Sequence, residues 1–254
     1  MRKSSMVDPA FDRDKFLLRQ KFLAISEKYD VWDEEGNSIL YIERPAHFLR
    51  NLGAVFAGLL AGVATGAALF ALTSIVPQSL RDLMIVFTLA SILVVIFVVI
   101  ILLSKKRDLT IYRDQSKQEP LLKVLQDKKL QLITATFTIR DTNGDIAKFT
   151  KNYLYEMFCK YWHCYTPDGA LICIAKEDPL IMALLRRFVS SFLDLIPINF
   201  VIIHGETHQL LGEFNRQFTI RDRYVLDMSA DQAGYLDRRI AIALGVMLDT
   251  GERR

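Results

Sequence analysis

Hydrophobic and polar positions alternate along most of this chain, but between Gly53 and Leu103 the alternation stops. Two apolar runs, Gly53–Val76 and Leu83–Leu103, contain no charged side chain, and only the turn Pro77–Asp82 separates them. Each run is long enough to cross ~30 Å of hydrocarbon at a helical rise of ~1.5 Å per residue. Backbone N–H and C=O groups in lipid must satisfy one another within the segment, so both runs are expected to be helices. A short turn makes them an antiparallel pair with both flanks on one side. The competing explanation is a helical pair in a large soluble core. Against it stands the second run, LMIVFTLASILVVIFVVIILL, which has no polar face to show to water.

Charge orients the pair. Arg44, His47 and Arg50 precede it, Lys105, Lys106 and Arg107 follow it, and the connecting turn carries only Arg81 beside Asp82. The excess of basic residues on the flanks predicts that both, and with them the N- and C-termini, are cytoplasmic. The same six residues are the candidates for contact with lipid headgroups, their alternative role being topology determination alone. Within the first run Gly58, Gly62 and Gly66 recur every four residues, one helical step after Ala54, forming a stripe that lets another helix approach closely. Bulky Ile92, Val95, Ile96, Val99 and Ile100 on the second run suit packing within the pair. The other use of the stripe is contact with a second copy of the chain, a homo-oligomer.

Outside this stretch the pattern is β. Residues 1–15 read as a flexible lead, 16–52 as the first strands of a barrel domain, 53–103 as the transmembrane hairpin and 104–254 as the rest of the barrel. Lys28–Trp32 and Ser38–Glu43 flank an acidic, glycine-containing turn, which is a hairpin signal. The same unit recurs at Thr136–Lys151, Trp162–Glu177, Val201–Asn215 and, with a longer loop, Leu109–Gln126. With strands at Phe16–Ile25 and Arg223–Met228 the total is about twelve. So many sequential hairpins suit a sandwich or a barrel, and closure removes exposed edges.

Two helices are expected among the strands. Asp178-Pro179 opens one, with Leu180, Leu184, Phe188 and Phe192 every four residues and Pro197 at its end. It either covers the barrel or lies on a lipid surface. The other is capped by Ser229 or Asp231, stops at Gly251, and contains Ile240–Leu248, apolar on every side. That run is too short to span a bilayer, so it must be enclosed by protein.

Composition adds limits. A net charge of +3 is too small to argue for nucleic acid. The scattered cysteines Cys159, Cys164 and Cys173 fit free thiols in a reducing compartment. Met1–Lys15 has no apolar core and does not read as a signal peptide, so the first span is expected to act as its own insertion signal.

The segments KYDVWDEEGNSILYIER, CYTPDGALICIAKE, GEFNRQFTIRDRYVLDM and DRRIAIALGVMLDTGERR together resemble the phospholipid scramblase and LURP-one-related branch of the tubby C-terminal-like superfamily. The resemblance covers most of residues 16–44 and 107–254. It implies a closed barrel of about twelve strands around a buried C-terminal helix, here with a two-helix transmembrane hairpin inserted. It also implies phospholipid or phosphoinositide contact and a part in transbilayer lipid movement. The segment matching the family's calcium region, Asp222–Asp227, lacks a dense run of oxygen ligands, which argues against calcium activation.

No catalytic signature emerges. His204-Gly205-Glu206-Thr207-His208 lacks the H-E-x-x-H order of a zinc helix and reads as a turn between strands. Asp141–Asp145 starts like a calcium loop but has Ile146 where glycine belongs and Asn152 where glutamate belongs. A type I′-like turn through Asn143-Gly144 explains it better. Cys159, His163 and Cys164 share a stretch in which strand alternation points some of them apart. The expected protein is therefore not an enzyme and needs no metal or cofactor. It is a membrane-anchored lipid-interacting protein or, alternatively, a protein-docking module held at the membrane, with the phospholipid bilayer and its anionic lipids as partner.

Overall fold

The structure, a computed structural model, describes residues 8–21, 26–45, 48–106, 108–129, 131, 133–154, 160–177, 199–217 and 223–252. By contact the chain forms two compact units, residues 46–107 and the segments on either side of them.

The larger unit is a closed antiparallel barrel of twelve strands, each paired with its neighbours in sequence, β1 closing on β12. The strands are β1 (Lys15–Gln20), β2 (Glu27–Trp32), β3 (Ser38–Arg44), β4 (Leu109–Tyr112), β5 (Pro120–Gln126) and β6 (Thr134–Asp141). They continue with β7 (Gly144–Asn152), β8 (Tyr161–Tyr165), β9 (Leu171–Glu177), β10 (Phe200–His204), β11 (Leu210–Gln217) and β12 (Arg223–Asp227). All five expected hairpins are present, and each shifts register near its turn, as at Val31/Trp32 and Cys164/Tyr165. Such bulges raise the local twist, which helps a sheet curve into closure.

Alternation sends one face of every strand inward. Phe16, Tyr29, Ile42, Ile111, Phe149 and Trp162 belong to a single buried cluster that also holds Ile240–Leu244 and Val246–Leu248. Eight strands make a barrel that side chains alone can fill, and diameter grows with strand number. Twelve strands leave a bore wide enough for a helix of ~10–12 Å diameter. The C-terminal helix, α3 (Arg238–Glu252), fills it, buried from Ile240 through Thr250.

Polar contacts fix both ends of α3. At its start the Asp237 carboxylate accepts from the N–H of Arg239, and the Asp237 carbonyl accepts the first helical bond from Ala241. Asp237 is therefore the N-cap, in place of Ser229 or Asp231. The buried Asp231 instead accepts from the N–H groups of Tyr235 and Leu236 and pairs with Arg238 at 2.8 Å, bracing the loop that leads in. Arg239 reaches Asp141 at 2.6 Å. At the far end Tyr29 donates its hydroxyl to Asp249, and Arg44 donates to the carbonyl of Thr250 at 3.3 Å. Helical structure runs through Gly251 to Glu252 instead of stopping at the glycine.

The β6–β7 turn also differs from expectation. Asn143 keeps a negative φ and only Gly144, at +134°, is positive, so the turn is not type I′. The Asp141 carboxylate accepts from the N–H of both Asn143 and Gly144, which makes it an aspartate-capped turn.

An up-and-down barrel sorts its connections by strand parity. Those following even-numbered strands, together with the N-terminal segment and the loop into α3, lie at one end, called here the turn end. Those following odd-numbered strands lie at the other, where Arg44 leaves β3 and Leu109 enters β4; this is the stem end. The expected helix opening at Asp178-Pro179 falls outside the described residues.

The smaller unit contains α1 (Phe48–Thr73) and α2 (Gln78–Leu103), which lie between β3 and β4 in the chain. Each spans ~39 Å at ~1.5 Å per residue. α1 begins at Phe48, before the apolar run itself, and takes Arg50 into its first turns.

Candidate functional site

The two helices of the smaller unit are long and apolar enough to cross a membrane. Their mutual contact follows from side-chain size. A Cβ placed on Gly58 would lie 3.0 Å from the side chain of Ile100, one on Gly62 2.6 Å from Ile96, and one on Gly66 2.8 Å from Ile92. The glycine stripe therefore lets α2 press its isoleucines against the backbone of α1. In this structure the stripe is occupied within the pair by Ile92, Ile96 and Ile100. Ile92, Val95, Ile96, Val99 and Ile100 are all partly covered, while Phe56, Leu60, Val63, Phe70, Leu89 and Val94 stand exposed on the outer faces.

The threonine hydroxyls of these helices bond inside their own helix. Thr65 donates to the carbonyl of Ala61 at 2.8 Å and Thr88 to that of Met84 at 2.8 Å. Polar atoms satisfied this way do not require water. Only 11% and 6% of the most apolar windows of α1 and α2 are buried. A soluble protein's core helix would be mostly covered.

The expected headgroup residues do not share one fate. Arg50 is exposed, and its Nε donates to the carbonyl of Leu103 at 3.2 Å, capping the end of α2. Lys105 and Lys106 are exposed beyond that end. His47 and Arg107 lie outside the described residues. Arg44 requires a correction. It is 8% exposed, its guanidinium meets Glu27 at 3.3 Å, and it holds the last turn of α3. A cation committed to a buried carbonyl and a carboxylate is a structural clamp, not a headgroup contact.

A second surface at the stem end of the barrel was not anticipated. Ile133 and Leu154, in the connections after β5 and β7, are 56% and 63% exposed, and Tyr161 at the start of β8 is exposed beside them. The N–H of Tyr153 donates to the carbonyl of Ile133 at 2.8 Å, which ties the two connections together. Lys128 and Lys129 are exposed in the first of them. Asp127, next to these lysines, is turned back onto the barrel wall. Burial raises its carboxyl pKa, but hydrogen bonds from Thr138 and Thr136 and the nearby Lys148 more than offset that and hold it below its ordinary value. The signal available in the sequence was parity: turns after odd-numbered strands share an end, which requires the full strand count.

The expected weak chemistry has local structural explanations. His204 Nδ1 accepts from the N–H groups of Glu206 and Thr207, closing the β10–β11 turn, and its ring meets the edge of Tyr235. His208 sits at a φ of +57° in the same turn. Cys164 and Cys173 face each other across β8 and β9, both fully buried. Burial, together with the hydrogen bond to Cys173, pushes the Cys164 thiol well above its ordinary pKa and makes it a poor nucleophile. Cys159 lies outside the described residues. No group of three or more metal-ligating side chains occurs among the described residues.

Compared with known proteins, the chain matches no family model, and no curated protein or solved structure is significantly similar to it.

Proposed function

We propose that the chain is an integral membrane protein with two spans and cytoplasmic termini, whose barrel is of the phospholipid scramblase and LURP-one-related kind, and that it binds phospholipids and assists their movement between leaflets. One observation carries the membrane part. Helices α1 and α2 pack on each other through glycine and isoleucine and leave the rest of their apolar surface bare. Water disfavours such a surface by ~25 cal/mol per Å², and hydrocarbon does not. The lipid-transport part leans on the family resemblance, which the closed twelve-stranded barrel and its buried C-terminal helix support at the level of architecture.

Headgroup contact is assigned to Arg50, Lys105 and Lys106, each adding about 1 kcal/mol of attraction to an anionic surface. The test uses the full chain in vesicles carrying a fluorescent phospholipid, bleached from outside by dithionite. Bleaching is expected to continue past the outer-leaflet pool, and to need no calcium. The triple variant R50Q/K105Q/K106Q is expected to weaken the preference for anionic lipid, while R44Q lowers barrel stability and leaves that preference alone. Bleaching that stops at the outer leaflet, with protein verified as inserted, would reject lipid movement.

A further inference from the structure

The two ends of the barrel differ in chemistry. In the described connections of the turn end, carboxylates far outnumber the cations, which are Arg13, Arg113 and Lys117. Such an end repels an anionic surface. The stem end reverses this. Its connections expose Lys128 and Lys129, and Asp127, the acid beside them, is engaged by Lys148 and Thr138. Among the described residues of the barrel, this end sets Ile133 and Leu154 in its loops near exposed lysines, with Tyr161 at the strand start below them, whereas the turn end exposes Leu210 and Tyr235 among its acids. An isolated exposed aliphatic needs no explanation. Two on hydrogen-bonded neighbouring loops, with an aromatic ring and a lysine pair, form a patch with the composition of an interfacial membrane contact: apolar tips, an amphipathic ring and flanking cations.

We infer that the stem-end rim of the barrel, through Ile133, Leu154 and Tyr161 with Lys128 and Lys129, docks on the headgroup region of an anionic bilayer. The inference rests on the membrane reading above and extends it, since it assigns lipid contact to the barrel itself. Chain continuity favours a bilayer over a second protein. Pro45 leaves the barrel and Asp108 re-enters it at this same end, and the chain between them holds the two apolar helices. The end from which the two apolar helices depart carries the aliphatic loop tips beside lysines, and the opposite end carries most of the acids of the described connections. The aliphatic tips would enter the headgroup and acyl boundary by ~5–10 Å, and the lysines would sit at phosphate level.

The test uses the full chain in lipid nanodiscs, in a C159S background, Cys164 and Cys173 being buried. An environment-sensitive fluorophore is placed singly at I133C, L154C, V94C in α2 or N143C at the turn end. Quenchers are a doxyl lipid and aqueous iodide, and discs are either zwitterionic or enriched in phosphatidylserine. The doxyl lipid is expected to quench the probes at 133 and 154 roughly two-fold or more, as for an interfacial side chain, and to leave 143 unchanged. Quenching should be stronger in anionic discs, and K128Q/K129Q should remove that increment. Lipid quenching at 94 with iodide quenching at 133 and 154 in both disc types would overturn the docking and leave the spans intact. Iodide quenching at 94 would overturn the membrane reading and the docking with it. Shielding of 133 and 154 from both quenchers would show a protein covering the rim, which also overturns the inference.

Discussion

The helix inside the barrel and the helices between β3 and β4 meet the same physical demand in different ways. From Ile240 to Leu248 the C-terminal helix α3 is apolar all round, and so are α1 and α2 over most of their length. A helix with no polar face must be surrounded by something other than water. For α3 the protein supplies the surround: twelve strands turn their inner side chains onto it. For α1 and α2 the protein supplies one neighbour each, along the Gly58–Gly62–Gly66 stripe, and leaves the remaining circumference bare. Length distinguishes the two situations in advance. A run of nine apolar residues fits a barrel bore, whereas runs exceeding twenty match the thickness of a bilayer.

The sharpest way to break this comparison is to place a charge in each environment. Ala243 is fully buried in α3. An Ala243→Asp carboxylate would have no partner there and would cost several kcal/mol, enough to prevent folding of the barrel. The expected readout is loss of cooperative thermal unfolding. Leu89 is 58% exposed near the middle of α2. In water Leu89→Lys would be harmless, but in lipid it should cost about 2.5–3.5 kcal/mol of insertion free energy. Glycosylation mapping or alkaline extraction reads this as a larger non-inserted fraction, with the barrel still folded. If Leu89→Lys inserts and extracts like the parent chain, the outer face of α2 does not meet hydrocarbon.

A smaller effect separates the two kinds of close packing. Gly245 in α3 lies where a Cβ would come within 3.1 Å of the Phe214 ring, itself stacked on Tyr224 at 5.2 Å. The enclosed barrel cannot widen locally, so Gly245→Leu should destabilise by roughly 1–3 kcal/mol and lower the barrel melting temperature. Gly62→Leu meets Ile96, which, on the membrane reading proposed above, belongs to a pair free to separate in lipid. Its loss is expected in the stability of the helical pair in detergent, not in barrel melting. Equal effects of the two substitutions on barrel melting would mean that the units do not unfold separately.

Much of the barrel was legible because alternation is a local signal. Each acidic or glycine-containing turn between alternating runs marked a hairpin, and counting hairpins led to twelve strands and to an enclosed α3. What stayed hidden depends on partners far apart in the chain. Arg44 read as one of a basic cluster, yet its carbonyl partner, Thr250, comes from the other end of the protein. The cap of α3 was assigned too early because Asp231 is a good cap by type. Only the loop geometry shows it bracing residues 235, 236 and 238 while Asp237 starts the helix. The glycine stripe left two uses open, since spacing reveals a close approach and not the identity of the approaching helix. The rim formed by Ile133 and Leu154 was invisible because neither residue belongs to a periodic run.

The smallest expected effect comes from pH, and it concerns the barrel alone. His163 lies on β8, half-buried, with its ring stacked on Tyr165. Burial lowers its pKa from the ordinary value of about 6.5. The unfolded chain therefore binds the proton more readily than the fold does. Above about pH 6.5 both states hold the neutral ring and the full stability is present. As pH falls below that value the unfolded state gains protons first, and stability declines until the folded pKa is passed. His163→Gln should flatten the curve of melting temperature against pH in this window. It should leave the later acid loss, set by carboxylates such as Asp227 that are held below their ordinary pKa, where it was. A barrel melting curve with the same slope between pH 6.5 and 5 in both proteins would remove His163 from the account.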